Sequence, residues 1–324
     1  MKILLTGASG LLGTAVARAA AAAGDEVVGV VGRWPGAVPG VARLVSLDLA
    51  DSAGVVALAR AERPHAILNC AAIAEPAACD AAPELAQRVN VELPAALAAV
   101  ARELGARFVH VSSEQVFDGA TPPYSIASPV SPLHRYGRQK AESEGRVLGA
   151  AEAHALGADP CAAVVRVPLL FGNSLGGRRS VHEKFLEAWS AGKTMKLFTD
   201  EIRAVASAEN VAAALLELAA RPELGGVLHW TGAEPVSRWE MGRAICAHFG
   251  FPPAWIEPVP RTALPEFTAT RPRDLTLDLA PLDRELRVRP ERFAAAMERL
   301  VLPAWWSERK APSTNLQAPE KPQT

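Results

Sequence analysis

The chain has 324 residues, of which 49% are apolar and 21% are charged, a composition typical of a soluble globular protein. This length exceeds the common single-domain size of about 100–150 residues, so one large domain or a large and a small one can form. Lysine and arginine number 34 against 35 acidic residues, which gives a net charge of −1. A nearly neutral chain has no general attraction to nucleic acid or to an anionic membrane, and we expect neither partner.

Cysteine use and hydropathy indicate the compartment. The four cysteines lie far apart, without the spacing of a zinc site or a disulfide framework: Cys70, Cys79, Cys161 and Cys246. We therefore expect no bound metal, and a cytoplasmic location fits best. The apolar run after Met1 is too short for a signal peptide, and no apolar stretch reaches the roughly 18 residues of a membrane span.

From residue 1 to about 170, short β-type runs alternate with longer helical stretches. Strands are predicted at Lys2–Thr6, Glu26–Val31, Ala66–Cys70, Arg107–Ser112 and Ala162–Val167. Helices are predicted between them at Leu11–Ala23, Ser52–Glu62, Pro83–Leu104 and Arg135–Gly149. Continuous apolar strands joined by helical crossovers are typical of a parallel sheet buried on both faces. We therefore predict an α/β fold, a Rossmann-type doubly wound parallel sheet over residues 1–170.

After residue 170 this alternation is lost. Helical patterns occur at Ser180–Ala191, Ser207–Ala220 and Ser237–Phe249, one strand is predicted at Val227–Trp230, and a last helix near Pro290–Leu300. We predict a smaller C-terminal substrate-binding lobe over residues 171–307, with a segment at about 204–232 returning to the larger domain. The polar residues 308–324 are predicted to form a disordered tail.

The first strand leads directly into the glycine-rich turn Gly7–Gly13 and then into a helix. Such glycines let the backbone approach a pyrophosphate, which the positive end of the helix dipole faces. A tight turn without a ligand is the alternative, but the placement between first strand and first helix favours a dinucleotide site. The second strand ends near Arg33 without the carboxylate that binds an adenosine ribose. Because an arginine suits a 2′-phosphate, we predict NADP rather than NAD, unless Arg33 is a solvated loop cation.

Tyr136 and Lys140 are four residues apart at the start of a predicted helix, so both lie on one face of it. The strand RFVHVSS ends at Ser113, at the carboxyl edge of the sheet where open α/β folds bind ligands. We predict that Tyr136 exchanges a proton with a carbonyl or alcohol and that Ser113 hydrogen-bonds the reacting oxygen. Lys140 is expected to lower the pKa of Tyr136 and to hold the nicotinamide ribose. A surface tyrosine beside a solvated lysine is the alternative.

The sequence gives weaker evidence for the roles of several other polar and aromatic residues. Glu114 and Asp118 could assist proton transfer or bind Mg²⁺, although capping or turn formation is the more common role. Trp305 and Trp306 are expected to pack within the lobe, with anchoring of another subunit as the alternative. Four histidines lack the spacing of metal ligands and are interpreted as structural or exposed: His110, His134, His182 and His229.

Five segments together resemble the extended short-chain dehydrogenase/reductase family: GASGLLG, NCAA, VSSEQVFDG, YGRQK and RVPLLFG. The segments VFDG and RPRDLTLD are similar to its dTDP-4-dehydrorhamnose reductase branch. FDGATPPY, LHRYGRQKAESE and GVLHWTGAEPVSRWEMGRAI resemble, within that branch, the regulatory β subunits of methionine adenosyltransferase. The resemblance extends over roughly residues 1 to 305.

The resemblance implies where a cofactor is bound. Asp48 and Leu49 would border the adenine, Ala71 and Ala72 would line the cofactor cleft, and Pro168 with Leu169 would pack near the nicotinamide. The alanines, the proline and Leu169 could equally be ordinary core residues. The pyrophosphate would lie against the turn, whose expected cofactor-binding residues are Gly7, Ser9, Gly10, Leu11, Leu12 and Gly13.

Two departures from the reductase pattern concern the substrate. The reductases carry Ser-Thr-Asp-Tyr where this chain has Ser112–Gln115, so a hydroxyl is kept and a tyrosine is lost. They carry DQxGxPT where this chain has Asp200–Val205, which puts recognition of a thymidine diphosphate sugar in doubt. Glu114 and Arg203 are the predicted substrate contacts, Arg203 at a phosphate, with a surface salt bridge as its alternative.

Three functions follow from these residues. The first is an NADPH-dependent reductase that transfers a hydride to a carbonyl of a small molecule such as a nucleotide sugar, with Tyr136 supplying the proton. The second is an NADP-binding regulatory module of a methionine adenosyltransferase, since regulatory relatives keep Tyr136 and Lys140. The third is a sugar-nucleotide epimerase or dehydratase, which would retain NAD. The sequence leaves open whether the chain forms a homodimer.

Overall fold

The computed structural model describes residues 1–149, 159–265 and 270–307. The predicted disordered tail, residues 308–324, lies outside the described residues. In chain order the strands are β1 Lys2–Thr6, β2 Glu26–Val31, β3 Arg43–Ser46, β4 Ala66–Asn69, β5 Arg107–Ser113, β6 Ala162–Val167, β7 Leu170–Phe171, β8 Met195–Phe198, β9 Ile202–Arg203, β10 Ala206–Ser207, β11 Gly226–His229, β12 Val236–Ser237 and β13 Ile256–Val259.

The α-helices are α1 Leu11–Ala22, α2 Ser52–Glu62, α3 Pro76–Ala81, α4 Pro83–Gln87, α5 Leu93–Leu104, α6 Arg135–Leu148, α7 Val181–Ser190, α8 Ala208–Ala219, α9 Arg238–Phe249, α10 Leu282–Glu285, α11 Phe293–Met297 and α12 Ala304–Ser307. A π-helical turn, Arg88–Glu92, joins α4 to α5, and 3₁₀ turns occur at Glu114–Val116, Pro253–Trp255 and Arg261–Ala263. Within the described ranges, none of the helices combines the length and hydropathy needed to cross a bilayer.

Seven strands form one parallel sheet in the order β11-β6-β5-β4-β1-β2-β3. One apolar core joins this sheet to α1 and α8, and a second joins it to α2 and α5. The predicted Rossmann-type fold is therefore confirmed. Because the chain continues from β1 in one direction along the sheet and from β4 in the other, a crevice forms at their carboxyl ends, where such sheets bind ligands.

The edge strand β3 was not predicted from the sequence. It contributes Arg43–Ser46, whose residues are half-buried or exposed, so the apolar pattern of an internal strand is missing. The predicted strand at Val227–Trp230 is present as β11 and pairs in parallel with β6 at the opposite edge. The last predicted helix is shorter than expected, and the structure has α11 in its place.

The single helix predicted over Pro83–Leu104 is wrong, because a π-helical turn divides it. Leu93 N–H donates to the carbonyl of Arg88, five residues earlier. Pro94 has no N–H, and in a regular helix its ring would clash with the carbonyl four residues before it, that of Asn90. The wider turn accommodates this proline, and the Asn90 side chain is fully buried within it.

Residues after β6 build a further apolar cluster on α7, α9 and α11. Aromatic rings form part of it, with the ring centroids of Trp189 and Trp255 5.7 Å apart. Trp305 and Trp306 pack against the same cluster, and the ring centroids of Trp306 and Phe251 are 5.3 Å apart. These tryptophans therefore make packing contacts within the C-terminal portion. The division into two lobes near residue 170 stays a prediction.

Candidate active site

A cleft of about 490 Å³ opens at the carboxyl ends of the central strands. Its walls are the start of α1, the end of β5 with the first turns of α6, and the segment that follows β6. The structure brings eleven of the predicted site residues to this cleft: Gly10, Leu11, Leu12, Gly13, Ala72, Ser113, Glu114, Tyr136, Lys140, Pro168 and Leu169. The glycine turn and the Tyr-Lys pair, distant in sequence, thus face one cavity.

The glycine turn has a backbone that depends on its glycines. Gly7 has a φ of +69°, and a Cβ on it would lie 2.8 Å from the backbone nitrogen of Ala71. A Cβ on Gly13 would lie 2.1 Å from the carbonyl oxygen of Gly7. Without a Cβ, Gly7 lets the turn pack against the loop after β4. Without a Cβ, Gly13 lets the start of α1 pack against the turn. Ser9 and Ala71 are buried, and neither they nor Gly7 line the cleft.

The start of α1 fits a bound phosphate. Gly10 is the N-cap and supplies no side-chain cap, and no acidic residue occupies the first turn. The N–H groups of Leu11, Leu12 and Gly13 are thus not capped by a side chain, and these residues line the cleft. A phosphate there would accept their hydrogen bonds at the positive end of the helix dipole. The residues present therefore fit the pyrophosphate of a dinucleotide.

The residues predicted around the adenosine lie outside the cleft lining. Arg33 follows β2 and is exposed. Asp48 and Leu49 follow β3, the neighbouring strand, so all three lie at the carboxyl edge of the sheet. The carboxylate of Asp48 accepts a hydrogen bond from Ala50 N–H at 2.9 Å, as in a tight turn. Their roles toward an adenosine stay predictions.

Ser113, Tyr136 and Lys140 lie together on a second wall of the cleft. Tyr136 is 8% exposed and Lys140 1%, so neither is the solvated surface residue of the alternative interpretation. His134 caps α6, because its Nδ1 accepts a hydrogen bond from Gly137 N–H at 3.1 Å. Capping by His134 holds the first turn of α6, and with it the phenol of Tyr136, at the cleft.

Burial dominates the pKa values of this group. Desolvation raises the pKa of Tyr136 to about 12, while the nearby Ser113 hydroxyl acts to lower it. Desolvation lowers the pKa of Lys140 to about 8, against the opposing influence of the Glu144 carboxylate. Lys140 was expected to lower the pKa of Tyr136 towards neutral pH, but this pKa is raised instead. The physical reason is that both groups lose water, and each loss favours the neutral form.

A buried polar network behind the cleft positions α6. Glu144 on α6 forms an ion pair with Arg166 on β6, with 2.7 Å between Oε2 and Nη2. His110 on β5 contacts Ser143 on α6, with 3.1 Å between Nε2 and Oγ. These contacts hold α6, the helix that carries the Tyr-Lys pair, against the sheet, and they give His110 the structural role expected of it.

Asn90 connects two walls of the cleft and was not predicted from the sequence. Its Oδ1 accepts a hydrogen bond from Ile73 N–H at 2.8 Å, and its Nδ2 donates to Gln139 Oε1 at 2.9 Å. Asn90 therefore joins the loop after β4 to α6, one residue before Lys140. A single asparagine in a helical stretch has no sequence signal of its own, apart from being polar among apolar neighbours.

Three basic residues at the cleft were also missed. Arg178, Arg179 and Lys184 line it on the side of α7. A Cβ on Gly10 would lie 3.9 Å from Nη1 of Arg179, so this guanidinium is close to the glycine turn. These residues reach the cleft because the segment after β7 folds back towards it, and the spacing of residues in the sequence does not reveal this fold.

The two predicted substrate residues differ in placement. Glu114 lines the cleft and is 1% exposed, whereas Arg203 is 3% exposed and does not line it. The guanidinium of Arg203 is held inside the protein, with its Nε 3.2 Å from Glu114 Oε1 and its Nη2 3.0 Å from the carbonyl oxygen of Pro272. Arg203 is therefore neither a cleft residue nor the partner in a surface salt bridge, because the fold buries it behind Glu114.

Asp118 forms a turn at the end of the segment after β5. Its carboxylate accepts hydrogen bonds from Ala120 N–H at 2.9 Å and from Tyr124 OH at 2.7 Å. The bond from Ala120 N–H holds the pKa of Asp118 below its ordinary value. These contacts match the turn-forming role, the more common of the two expected from the sequence.

These observations define the class of the protein. A doubly wound parallel sheet, a glycine turn at its first helix, and serine, tyrosine and lysine side chains at one cleft together match the extended short-chain dehydrogenase/reductases. The model of the RmlD substrate binding domain family matches residues 1–304. The chain belongs to this family, and the resemblance to the dTDP-4-dehydrorhamnose reductase branch is confirmed.

The proteins similar to this chain include an adenosyltransferase subunit and two proteins named as reductases. Methionine adenosyltransferase 2 subunit beta of Xenopus laevis is 33% identical over 288 residues, which cover 87% of this chain and 82% of that protein. Probable low-salt glycan biosynthesis reductase Agl14 of Haloferax volcanii is 31% identical over 290 residues, which cover 88% of this chain and 92% of that protein. The crystal structure of dTDP-4-dehydrorhamnose reductase from Bacillus anthracis in complex with NADP superposes with a TM-score of 0.74 at 19% identity, over 92% of this chain and 97% of that chain.

Proposed function

We propose that this protein is an NADPH-dependent reductase that converts a carbonyl of a small molecule, such as a nucleotide sugar, to an alcohol. The observation that carries the proposal is the meeting of Ser113, Tyr136 and Lys140 with the glycine turn at one cleft. When bound, the reduced nicotinamide would supply the hydride that the carbonyl carbon receives. The remaining steps belong to side chains of this chain.

Tyr136 is suited to give the proton that completes the alcohol. With a pKa of about 12, its phenol is protonated at neutral pH and available as a donor to the oxygen as negative charge develops there. Ser113 would donate a second hydrogen bond to the same oxygen and hold the carbonyl in place. Lys140, still largely charged at pH 7 with a pKa of about 8, would bind ribose hydroxyls and bring positive charge beside the phenol.

Two observations support NADPH over NADH. Arg33 is exposed at the carboxyl edge of the sheet, where it is available for a 2′-phosphate. No carboxylate occurs at the end of the β2 sequence, where NAD-binding folds hold the ribose hydroxyls.

The test follows NADPH absorbance while the purified chain is mixed with a panel of 4-keto nucleotide sugars. Replacing Tyr136 by Phe should reduce turnover by about 10²–10⁴-fold and leave NADPH affinity nearly unchanged, because only the proton donor is removed. Tyr124→Phe is the matched control, since Tyr124 contacts Asp118 and does not line the cleft. Equal turnover in Tyr136→Phe and the wild type would refute the mechanism.

A second function is supported by the likeness to the Xenopus laevis subunit. In that case the chain would bind NADP and regulate a methionine adenosyltransferase while doing little chemistry. Analytical ultracentrifugation of the chain mixed with a purified methionine adenosyltransferase catalytic subunit tests it. A complex without NADPH consumption would favour regulation, and separate sedimentation would count against it.

Product formation with no net NADPH consumption would instead favour the epimerase or dehydratase alternative.

A further inference from the structure

Glu114 combines burial with an unused hydrogen-bonding atom. It begins the 3₁₀ turn directly after β5, is 1% exposed, and lines the cleft beside Ser113. Its Oε1 accepts a hydrogen bond from Leu169 N–H at 3.3 Å and lies 3.2 Å from Nε of Arg203. Its Oε2 is buried and has no hydrogen-bond partner in the part of the chain that the structure describes.

A buried polar atom without a partner is costly, and most buried polar atoms in native proteins have one. Arg203 and Leu169 hold Oε1, so the orientation of the carboxyl group is set and Oε2 is the oxygen without a partner. The site does not suit Mg²⁺, because the Arg203 guanidinium would repel a cation. No group of three side chains able to hold a metal occurs among the described residues.

The charge state of Glu114 decides whether Oε2 donates or accepts. Burial raises the pKa of Glu114 to about 8, although Arg203 acts to lower it. At neutral pH the carboxyl group is therefore mostly protonated, and the proton belongs on Oε2 because Oε1 faces two N–H donors. The charged and titratable groups that act on this site from the elements around it are Arg203, Glu201, Asp274, Arg238 and Tyr136.

We propose that Glu114 is a specificity-determining residue whose Oε2–H donates a hydrogen bond to an uncharged oxygen of the substrate, a hydroxyl or a carbonyl. Because Ser113, Glu114 and Tyr136 line the same cleft, this oxygen would lie close to the one that Ser113 and Tyr136 bind. A substrate with oxygens on two neighbouring carbons would therefore be favoured. The inference rests on the proposed function for the identity of the substrate.

The test measures binding of dTDP-glucose and UDP-glucose by calorimetry at pH 6 and pH 9, with saturating NADP⁺. Wild-type affinity should fall about tenfold from pH 6 to pH 9, because Glu114 loses its proton. Glu114→Gln keeps a donor at every pH, so its affinity should match the wild type at pH 6 and vary less with pH. Glu114→Ala should bind about tenfold more weakly at pH 6, the effect of one lost hydrogen bond. A Gln variant with the wild-type pH dependence, or an Ala variant with wild-type affinity, would overturn the inference.

A second measurement separates this inference from the proposed function. Infrared difference spectra between pH 6 and pH 9 should contain a protonated-carboxyl band that Glu114→Gln removes. Glu142→Gln, which removes an exposed carboxylate on α6, is the matched control and should keep the band. Absence of this band from the wild type overturns the inference whatever the substrate. Failure of both sugars to bind the wild type, with the band present, refutes the nucleotide-sugar substrate of the proposed function and this role of Glu114 toward it.

Discussion

Glu114→Gln should change how the free energy of unfolding depends on pH. Glu114 has a folded-state pKa of about 8 against an ordinary value of 4.5. The folded protein therefore binds this proton more tightly than the unfolded chain does. It follows that the wild type has this contribution to stability at low pH and loses it as pH rises from 4.5 towards 8.

The size of the effect follows from the same two values. Each pKa unit corresponds to about 1.4 kcal/mol, so between pH 5 and pH 9 the wild type should lose about 4 kcal/mol from this group. Glutamine does not titrate, so the variant lacks this loss. The difference in unfolding free energy, variant minus wild type, should rise by that amount over the same range. The depressed pKa of Lys140 also produces a pH dependence, but it is common to both proteins and cancels.

Urea unfolding followed by tryptophan fluorescence at five pH values from 5 to 9 measures this difference. The slope of unfolding free energy against urea should stay the same in both proteins, because the surface exposed on unfolding is unchanged. Glu142→Gln should follow the wild type at every pH, because its side chain is exposed. Curves for Glu114→Gln and the wild type that stay parallel to within about 1 kcal/mol would refute the account of Glu114 as a buried neutral acid.

The cofactor site can be tested with three sets of variants. Gly13→Ala should abolish NADPH binding measured by fluorescence titration, because its Cβ would lie 2.1 Å from the Gly7 carbonyl oxygen. Gly145→Ala, on the exposed face of α6, is its control and should bind normally and gain about 0.5–1 kcal/mol of stability. Arg33→Ala should weaken NADPH about 10- to 100-fold and leave NADH affinity nearly unchanged, since only the 2′-phosphate contact is lost; equal losses for both cofactors would contradict this role. NADPH affinity should decrease above pH 8 as Lys140 loses its proton, and Lys140→Met should bind weakly at all pH values. An unchanged pH profile in Lys140→Met would exclude Lys140 as the cause.

Much of the fold was predictable because its signals are local. The strands β1, β2, β5 and β6 are apolar runs bounded by turns, and the helices between them have a helical period. The division of the predicted helix at Arg88–Glu92 and the exposed strand β3 were not predicted. The first depends on how Pro94 is accommodated in three dimensions, and the second on pairing with β2 rather than on its own residues.

The candidate site was predictable to the extent that spacing places its residues. A separation of four residues puts Tyr136 and Lys140 on one helix face, and the strand end puts Ser113 at the edge of the sheet. The roles of Glu114 and Arg203 could not be separated in this way. Both looked like substrate contacts, but the fold buries Arg203 as the partner of Glu114 and leaves only Glu114 at the cleft.

Local patterns in the amino-acid sequence were enough to establish the succession of strands and helices, the glycine turn and the positions of the tyrosine and lysine, because each depends on residues within a few positions of one another. The charge states at the cleft came from the three-dimensional arrangement alone. Burial raises the pKa of Tyr136 to about 12 and that of Glu114 to about 8, and lowers that of Lys140 to about 8. These shifts arise from the loss of water around each group, which is set by chain segments far away in the sequence.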